Sequence, residues 1–444
     1  CVECFFGIYC AGLVLVPMNA RNSAREHRYI LQNSEASAIL AGGEFIEEIA
    51  SILPEAETVG HTICVTGERR RNMLDYETLL EQATSDKPQV PISEGDMISL
   101  RYTSGTTGKP KGAVLTQKNL VHDARNIIKI WEIAQSDVIC HALPLFHVHG
   151  LCFALHTVLM AGAHVLMPAE FSPETVIDLL SKKEGKHVCT LFMAVPAMYG
   201  KLMEYVEEKT LDFSHIRLWT SGSAPLLVKD FKRIEKIFGK EPVEREGMSE
   251  TGMNFSNPVR GPRKPGSIGF PLPDLEVRIV DPDTFMDVRP GQEGEIWLKG
   301  PAVTPGYWRK PEETAKAFNE GWFRSGDLGK VDADGYYYLT DRIKHIIISG
   351  GENISPKEIE KVINQLEGVV ESTVVGIPDE KWGEKVVAAV VRKADAKITT
   401  QEIQDVCKEQ LHKWKCPKEI VFLNELPKNT MGKVLKEEIK RFFE

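Results

Sequence analysis

The segment "YTSGTTGKPKG", Tyr102–Gly112, sets four Ser/Thr hydroxyls, three glycines and two lysines into eleven positions. A strand-like run, "DMISLRYT", leads straight into it. Glycines let the backbone curl until successive N–H groups converge, which makes a nest for an anion. The hydroxyls of Thr103, Ser104, Thr106 and Thr107 add donors, and Lys109 and Lys111 add charge. Together they suit a polyphosphate. The spacing is not that of a P-loop, whose glycines stand further apart and whose lysine is followed by Ser or Thr. Here two residues separate Gly105 from Gly108, and Pro110 follows Lys109. The plain alternative, a mobile Gly/Ser connection, has no need of so many donors.

On either side of this loop, short β-branched runs alternate with amphipathic segments. "ASAILAG", "HTICVTG", "DVICHALPL", "AHVLMPA", "VCTLFMAVP" and "IRLWTSG" read as buried strands. Segments 173–183, 196–208 and 227–238 carry helical spacing. The opening "CVECFFGIYCAGLVLVPMN" reads as a helix followed by a buried strand. Between Gly266 and Thr340 the texture changes to short strands broken by Gly, Pro and Asp turns. After "TDRIKH" a compact β/α tail follows. The expected class is therefore α/β. Residues 1–343 form a large N-terminal domain of layered, mostly parallel sheets with helices and a β-rich subdomain, and 344–444 form a small, mobile α+β C-terminal domain.

The chain has 444 residues, 42% of them hydrophobic and 26% charged, which suits more than one globular core. A formal charge of −9 argues against nucleic acid or an anionic membrane as the main partner, so any bound anion must be met by local donors. The longest apolar run, Leu151 to Met167, is broken by His156 and His164 and reads as buried core, not as a membrane span. Nine scattered cysteines suit free thiols in a reducing compartment, cytoplasmic or an organelle matrix. Cys1 and Cys4 make a lone CxxC with no second pair, which reads as coincidence. The first residue is Cys1 and not an initiator methionine, so the natural N-terminus is expected to be missing and no targeting peptide can be read.

With these motifs in hand the chain resembles the adenylate-forming enzymes: acyl-CoA synthetases, adenylation domains and luciferases. "YTSGTTGKPKG" is similar to their signature, and four further motifs follow in the family's order: "GMSETG" (Gly247–Gly252), "WFRSGDLG" (Trp322–Gly329), "DRIKHIIISGGENISPKEIE" and "PKNTMGK". The resemblance implies ATP, Mg2+ and CoA. Glu250 would bind the metal, Asp327 and Arg342 would hold the ribose, and Lys433 would contact the carboxylate and α-phosphate. Thr103, Glu250, His147 and Lys433 would be catalytic. The nucleotide would also meet Ser104, Gly105, Thr106, Thr107, Gly108 and Lys111 in the loop, then Ser223, Ala224, Glu246, Gly247, Met248 and Ser249. A hinge is expected at Lys344, with Ser349, Gly350, Gly351 and Glu352 as the loop presented to CoA.

The implied reaction has two halves. A carboxylate attacks the α-phosphorus of ATP, giving an acyl-adenylate and pyrophosphate, and a thiol then displaces AMP. Because the first half brings negative charges together, catalysis is expected to be mainly electrostatic and positional. The second needs a different constellation around the same adenylate, hence rotation about the hinge.

Two stretches bear on the acid. "HALPLFHVHGL" (His141–Leu151) resembles the motif that lines the family's acyl pocket, which implies a role there for His147, and it offers no aspartate for a substrate ammonium. In "VEREGMSETGMNFSNP", Arg245 stands where relatives often carry glycine. A buried guanidinium needs an anion, and a second carboxylate on the substrate would supply one. The pattern resembles malonyl-CoA synthetases, which implies Arg245, Ser223, His147 and Met253 around a small dicarboxylic acid, malonate or methylmalonate. Three alternatives stand beside this. Arg245 pairs with Glu244, Glu246 or Glu250 and the pocket takes a monocarboxylate; the chain loads a carrier-protein thiol; or it binds nucleotide without catalysis. Glu246 is a departure, since relatives carry there an aromatic that stacks on adenine.

Overall fold

The structure is a computed structural model, and it describes residues 1–67, 72–103, 110–207, 209–350, 352–429 and 432–443. The largest sheet has seven strands in the order Phe270–Pro271, Gly252–Ser256, Val243–Met248, Leu218–Ser221, Leu191–Ala194, Val138–Cys140, His164–Leu166. From Val243–Met248 to His164–Leu166 every neighbour is parallel. The central three, Val138–Cys140, Leu191–Ala194 and Leu218–Ser221, come from the short apolar runs of the sequence and are buried throughout, as inner parallel strands require. Trp131, Phe153, Phe192, Tyr199 and Trp219 fill the core around them and are almost wholly buried. Each contributes about 1.5–3 kcal/mol or more through the area removed from water.

A smaller parallel sheet, Ala38–Gly42, His61–Thr66 and Leu74–Asp75, packs against the helix Ala24–Ser34. Ser23 and Glu26 close that helix's start as a reciprocal capping box. The helix Val2–Cys10 is present, but the strand expected after it is reduced to Leu15, which bridges Ser99. Gly12 turns the chain at φ +67° and Pro17 lacks an N–H, so few residues remain between them to pair.

Residues 276–342 form the β-rich part, an antiparallel sheet of Glu276–Val280, Gly294–Lys299, Trp322–Val331, Phe318–Asn319 and Tyr337–Arg342. A short turn, Ile343–His345, leads to the last sheet. There Gly383–Arg392 pairs with Val369–Asp379 on one side and lies parallel to Glu419–Leu423. Helices Pro356–Asn364 and Thr400–Gln410 cover one face of this sheet with their own apolar cluster, while Ile439 and Leu426 cover the other. Mixed α/β layers with a small C-terminal unit are thus the architecture. No helix among the described residues is long and apolar enough to cross a membrane. The run Leu151–Met167 folds instead into a π-helix, His149–His156, then Thr157–Met160 and the strand His164–Leu166.

Candidate active site

The hairpin Met97–Thr103/Lys111–Thr116 carries the loop, with Tyr102 opposite Gly112 and Thr103 opposite Lys111. Ser104, Gly105, Thr106, Thr107, Gly108 and Lys109 lie outside the described residues. At the hairpin's end Thr103 Oγ1 donates to Glu250 Oε1 at 3.2 Å, and Tyr307 Oη donates to the same oxygen at 3.2 Å. Lys111 is engaged in an ion pair with Glu313.

Glu250 sits in the turn between Val243–Met248 and Gly252–Ser256, with Met248 and Ser249 half-buried beside it. The turn depends on glycine. A Cβ on Gly252, at φ +73°, would meet the Asp123 carboxylate at 2.7 Å, and one on Gly247 would meet the Gly252 carbonyl at 2.6 Å. Among the described residues Glu250 Oε2 accepts no hydrogen bond, while Oε1 lies close to two hydroxyls. That hard-oxygen set fits Mg2+, which takes one or two protein oxygens and completes its shell with water and phosphate.

Across the antiparallel sheet Asp327 lies opposite Arg342. Their register makes a fork: Nε of Arg342 is 2.6 Å from Asp327 Oδ1, and Nη2 is 3.4 Å from Oδ2. Glu246 faces this pair. Burial and the nearby Asp327 push its carboxyl up to about 7, and Asn254 Nδ2 donates to it at 3.0 Å.

Lys433 is delivered to the same locality. Its N–H bonds Asn429 Oδ1 at 2.9 Å, and Asn429 N–H returns to the Lys433 carbonyl at 2.8 Å. Gly432, at φ +74°, presses so close to the start of the helix Pro196–Val206 that a Cβ there would meet Ala197 at 2.9 Å. Burial, then Arg342 and Lys344, push the Lys433 ammonium down to about 8, with Asp327 opposing. Lys344 is also lowered, by burial and by Arg342. Ser349 and Glu352 pair across a tight hairpin, Gly350 at φ +62° donates its N–H to the Trp382 carbonyl, and Gly351 lies outside the described residues.

A second group of residues gathers around Arg245. Arg245 is 3% exposed, and among the described residues its Nε and Nη1 have no hydrogen-bond partner and no carboxylate lies within ion-pair distance. Nη2 donates to Ser223 Oγ at 3.5 Å, and the fork lies over the Phe153 ring at 5.1 Å. Ser223 itself is exposed, in the left-handed region at φ +69°, beside half-buried Ala224. Gly222 is bare because a Cβ would meet Arg245 Cζ at 2.6 Å. The three acids weighed as partners for Arg245 are otherwise engaged. Glu244 accepts from Gly266 N–H, Glu246 from Asn254, and Glu250 from Thr103 and Tyr307.

His147 is half-buried, held down to about 4 by burial and by Arg101. It is His149, two residues on, whose Nδ1 meets Ser223 Oγ at 3.2 Å. Met253 puts its side chain in the main core and its N–H on Asp123 Oδ1 at 2.9 Å. Asp123 is wholly buried, pushed up to about 7, and feels Arg245. Sequence reasoning missed His149, Asp123, Asn254 and Tyr307. Only His149 carried a signal, the second histidine of "FHVH".

The family model described as AMP-binding enzyme matches residues 1–308, and that described as AMP-binding enzyme C-terminal domain matches 358–433. The chain belongs to the AMP-binding enzyme family. It is 35% identical to the mitochondrial malonate–CoA ligase ACSF3 of Bos taurus, over 97% of this chain and 77% of that protein. It is 34% identical to the indoleacetate–CoA ligase of Aromatoleum aromaticum, over 97% of this chain and 83% of that protein. Among solved structures, ATP-bound MatB from Rhodopseudomonas palustris aligns at TM-score 0.91 with 35% identity, covering 99% of this chain and 85% of that one. The apo form of the same MatB, at the same identity and coverage, aligns at 0.78.

Proposed function

We propose that this AMP-binding enzyme, an ATP-dependent acid–CoA ligase, activates a small dicarboxylic acid, malonate or methylmalonate first among them. One observation carries the reading: a buried guanidinium with two unmet N–H donors, beside an exposed hydroxyl, with no carboxylate among the described residues at ion-pair distance and only the fields of Glu246 and Asp123 acting from further off. A buried charge left alone is costly, by several kcal/mol. A substrate bearing a second carboxylate offers both the charge and the two-oxygen geometry that a guanidinium matches. His149 and Ser223 would orient that carboxylate, Phe153 would floor the pocket, and Arg245 would leave a long acyl chain little room. The likeness to a malonate–CoA ligase supports this. The equal likeness to an indoleacetate–CoA ligase is why the argument rests on Arg245 and not on identity.

On this reading the Asp327–Arg342 fork takes the ribose and the glycine-rich loop takes the phosphates. Glu250, supported by Thr103, would hold Mg2+, which when bound neutralises phosphate charge. Lys433 would contribute its ammonium where the attacking carboxylate and the α-phosphate meet, a positioned donor for the charge that develops there. A lysine turn docked for this half-reaction leaves no place for a thiol in the same spot. The C-terminal unit would therefore swing about Lys344 before CoA transfer, bringing the Ser349–Glu352 hairpin in.

The test is AMP formation with ATP, Mg2+ and CoA over a panel of malonate, methylmalonate, acetate, butyrate and indoleacetate. CoA-dependent turnover confined to the dicarboxylates is expected. A preference for butyrate or indoleacetate would make Arg245 a structural residue, and turnover only with a carrier protein would make the chain a loading enzyme.

A further inference from the structure

Behind the wall that carries His147 lies a second arginine that the reaction does not use. Arg101, on the strand Met97–Thr103, is 2% exposed, and its Nε and Nη1 have no hydrogen-bond partner. Among the described residues its Nη2 donates to the Cys152 sulfur alone, at 3.4 Å. Tyr9 Oη and His156 Nε2 are likewise buried without partners. The Tyr9 and His156 rings meet at 5.4 Å between centroids, and Phe6 closes on both. Leu15, Leu151 and Leu155 complete an apolar shell beneath the helix Val2–Cys10.

The charge in this cluster is one-sided. Burial pushes the Tyr9 hydroxyl and the Cys152 thiol up, and it pushes His156 down to about 3 with Arg101 adding to the effect. Each neighbour is therefore neutral near pH 7, and Arg101 brings the net charge. Asp123 is felt at Cys152, but its carboxylate is held by the Met253 N–H, and it forms no ion pair with Arg101.

We propose that Arg101, Tyr9 and His156 enclose a site for one compact monoanion, a halide or a formate-sized carboxylate, between the N-terminal helix and the π-helix His149–His156. A single positive charge calls for a single negative one. The guanidinium, the phenol and a donating imidazole tautomer each have a buried donor to offer. The apolar shell offers nothing to the second charge of sulfate or phosphate, whose burial would go uncompensated. The site also communicates with the acyl pocket. Arg101 helps hold His147 in its neutral form, so a seated anion offsets that field and makes His147 more basic.

The experiment combines crystals of the wild-type protein grown in bromide, recorded at the bromine edge, with thermal unfolding in chloride, formate or sulfate at matched ionic strength. Wild type, Arg101→Met and Tyr9→Phe are compared. We expect a bromide peak touching Arg101 and Tyr9, and a wild-type melting temperature that rises with chloride or formate but not with sulfate. Arg101→Met should lose the response. Tyr9→Phe should need about tenfold more anion for the same rise, the equivalent of one hydrogen bond of about 1.4 kcal/mol, and it serves alone if Arg101→Met does not fold. Stabilisation by both anions supports the class, and by one of them names the ligand. Absence of the peak, a peak without solution response (binding at crystal concentration only), an equal rise in sulfate, or an unchanged response in both variants overturns the proposal.

Discussion

Replacing Arg245 with methionine separates a substrate-binding arginine from a structural one, because the two roles move stability and catalysis in opposite senses. The guanidinium is buried, lacks an ion pair, and is pushed down to about 10 by that burial. An unbranched apolar side chain of similar length removes an uncompensated charge without emptying the space over Phe153. Such replacements of buried ionic groups are typically neutral or stabilising, by about 1–4 kcal/mol. Catalysis should respond the other way. A malonate carboxylate brought into the same place would lose its charged donors and stay buried and unpaired, at a cost of about 3–5 kcal/mol. That is a fall of about 10²–10³ or more in kcat/KM for malonate. The assays are pyrophosphate release at varied malonate and thermal unfolding of the free protein. Full malonate activity in Arg245→Met would refute the reasoning. So would a melting temperature lowered by several degrees, since it would mean that Arg245 was balancing Asp123 or Glu246.

Three further outcomes follow from the same geometry. Lys433→Ala should reduce acyl-adenylate formation by about 10²–10³ while leaving thioester formation from supplied acyl-adenylate near wild type, measured as two separate half-reactions. Because the Lys433 ammonium is pushed down to about 8, its charge is lost as pH rises through that value. kcat/KM for ATP should therefore fall above about pH 8, and the downturn should vanish in Lys433→Arg, whose charge persists. Glu244 is pushed up to about 8 by burial, so between the ordinary carboxylate range and pH 8 the folded state holds a proton that the unfolded chain has released. Stability should decline over that window by about 1.4 kcal/mol per pH unit for the group. Glu244→Gln should flatten the melting temperature against pH, and an unaltered slope would contradict the assignment.

What could be read in the sequence was what depends on local pattern. The six apolar runs became strands with parallel neighbours in two sheets, and the central ones, Val138–Cys140, Leu191–Ala194 and Leu218–Ser221, are buried on both faces and so need no alternation. The helical spacing of 173–183, 196–208 and 227–238 became the helices Pro173–Ser181, Pro196–Val206 and Val228–Phe238. Asp327 and Arg342 came from resemblance alone, since their meeting depends on a strand register that no spacing rule reveals. His147 and His149 are two residues apart on the approach to a π-helix, and only the fold decides which reaches Ser223. Asp123 reads as one more polar position on an amphipathic helix. It is buried because Gly252 has no side chain to exclude it. The strand expected near Leu15 failed for the opposite reason: hydrophobicity was present, but Gly12 and Pro17 left too little backbone to pair.

The role of Arg245 as counter-ion to the substrate is tested most directly by a crystal structure with malonate and a non-hydrolysable ATP analogue. The distal carboxylate is predicted to lie within hydrogen-bond distance of the Arg245 guanidinium and of Ser223 Oγ. Finding it elsewhere, with Arg245 drawn into an ion pair with Asp123 or Glu246, would contradict the account.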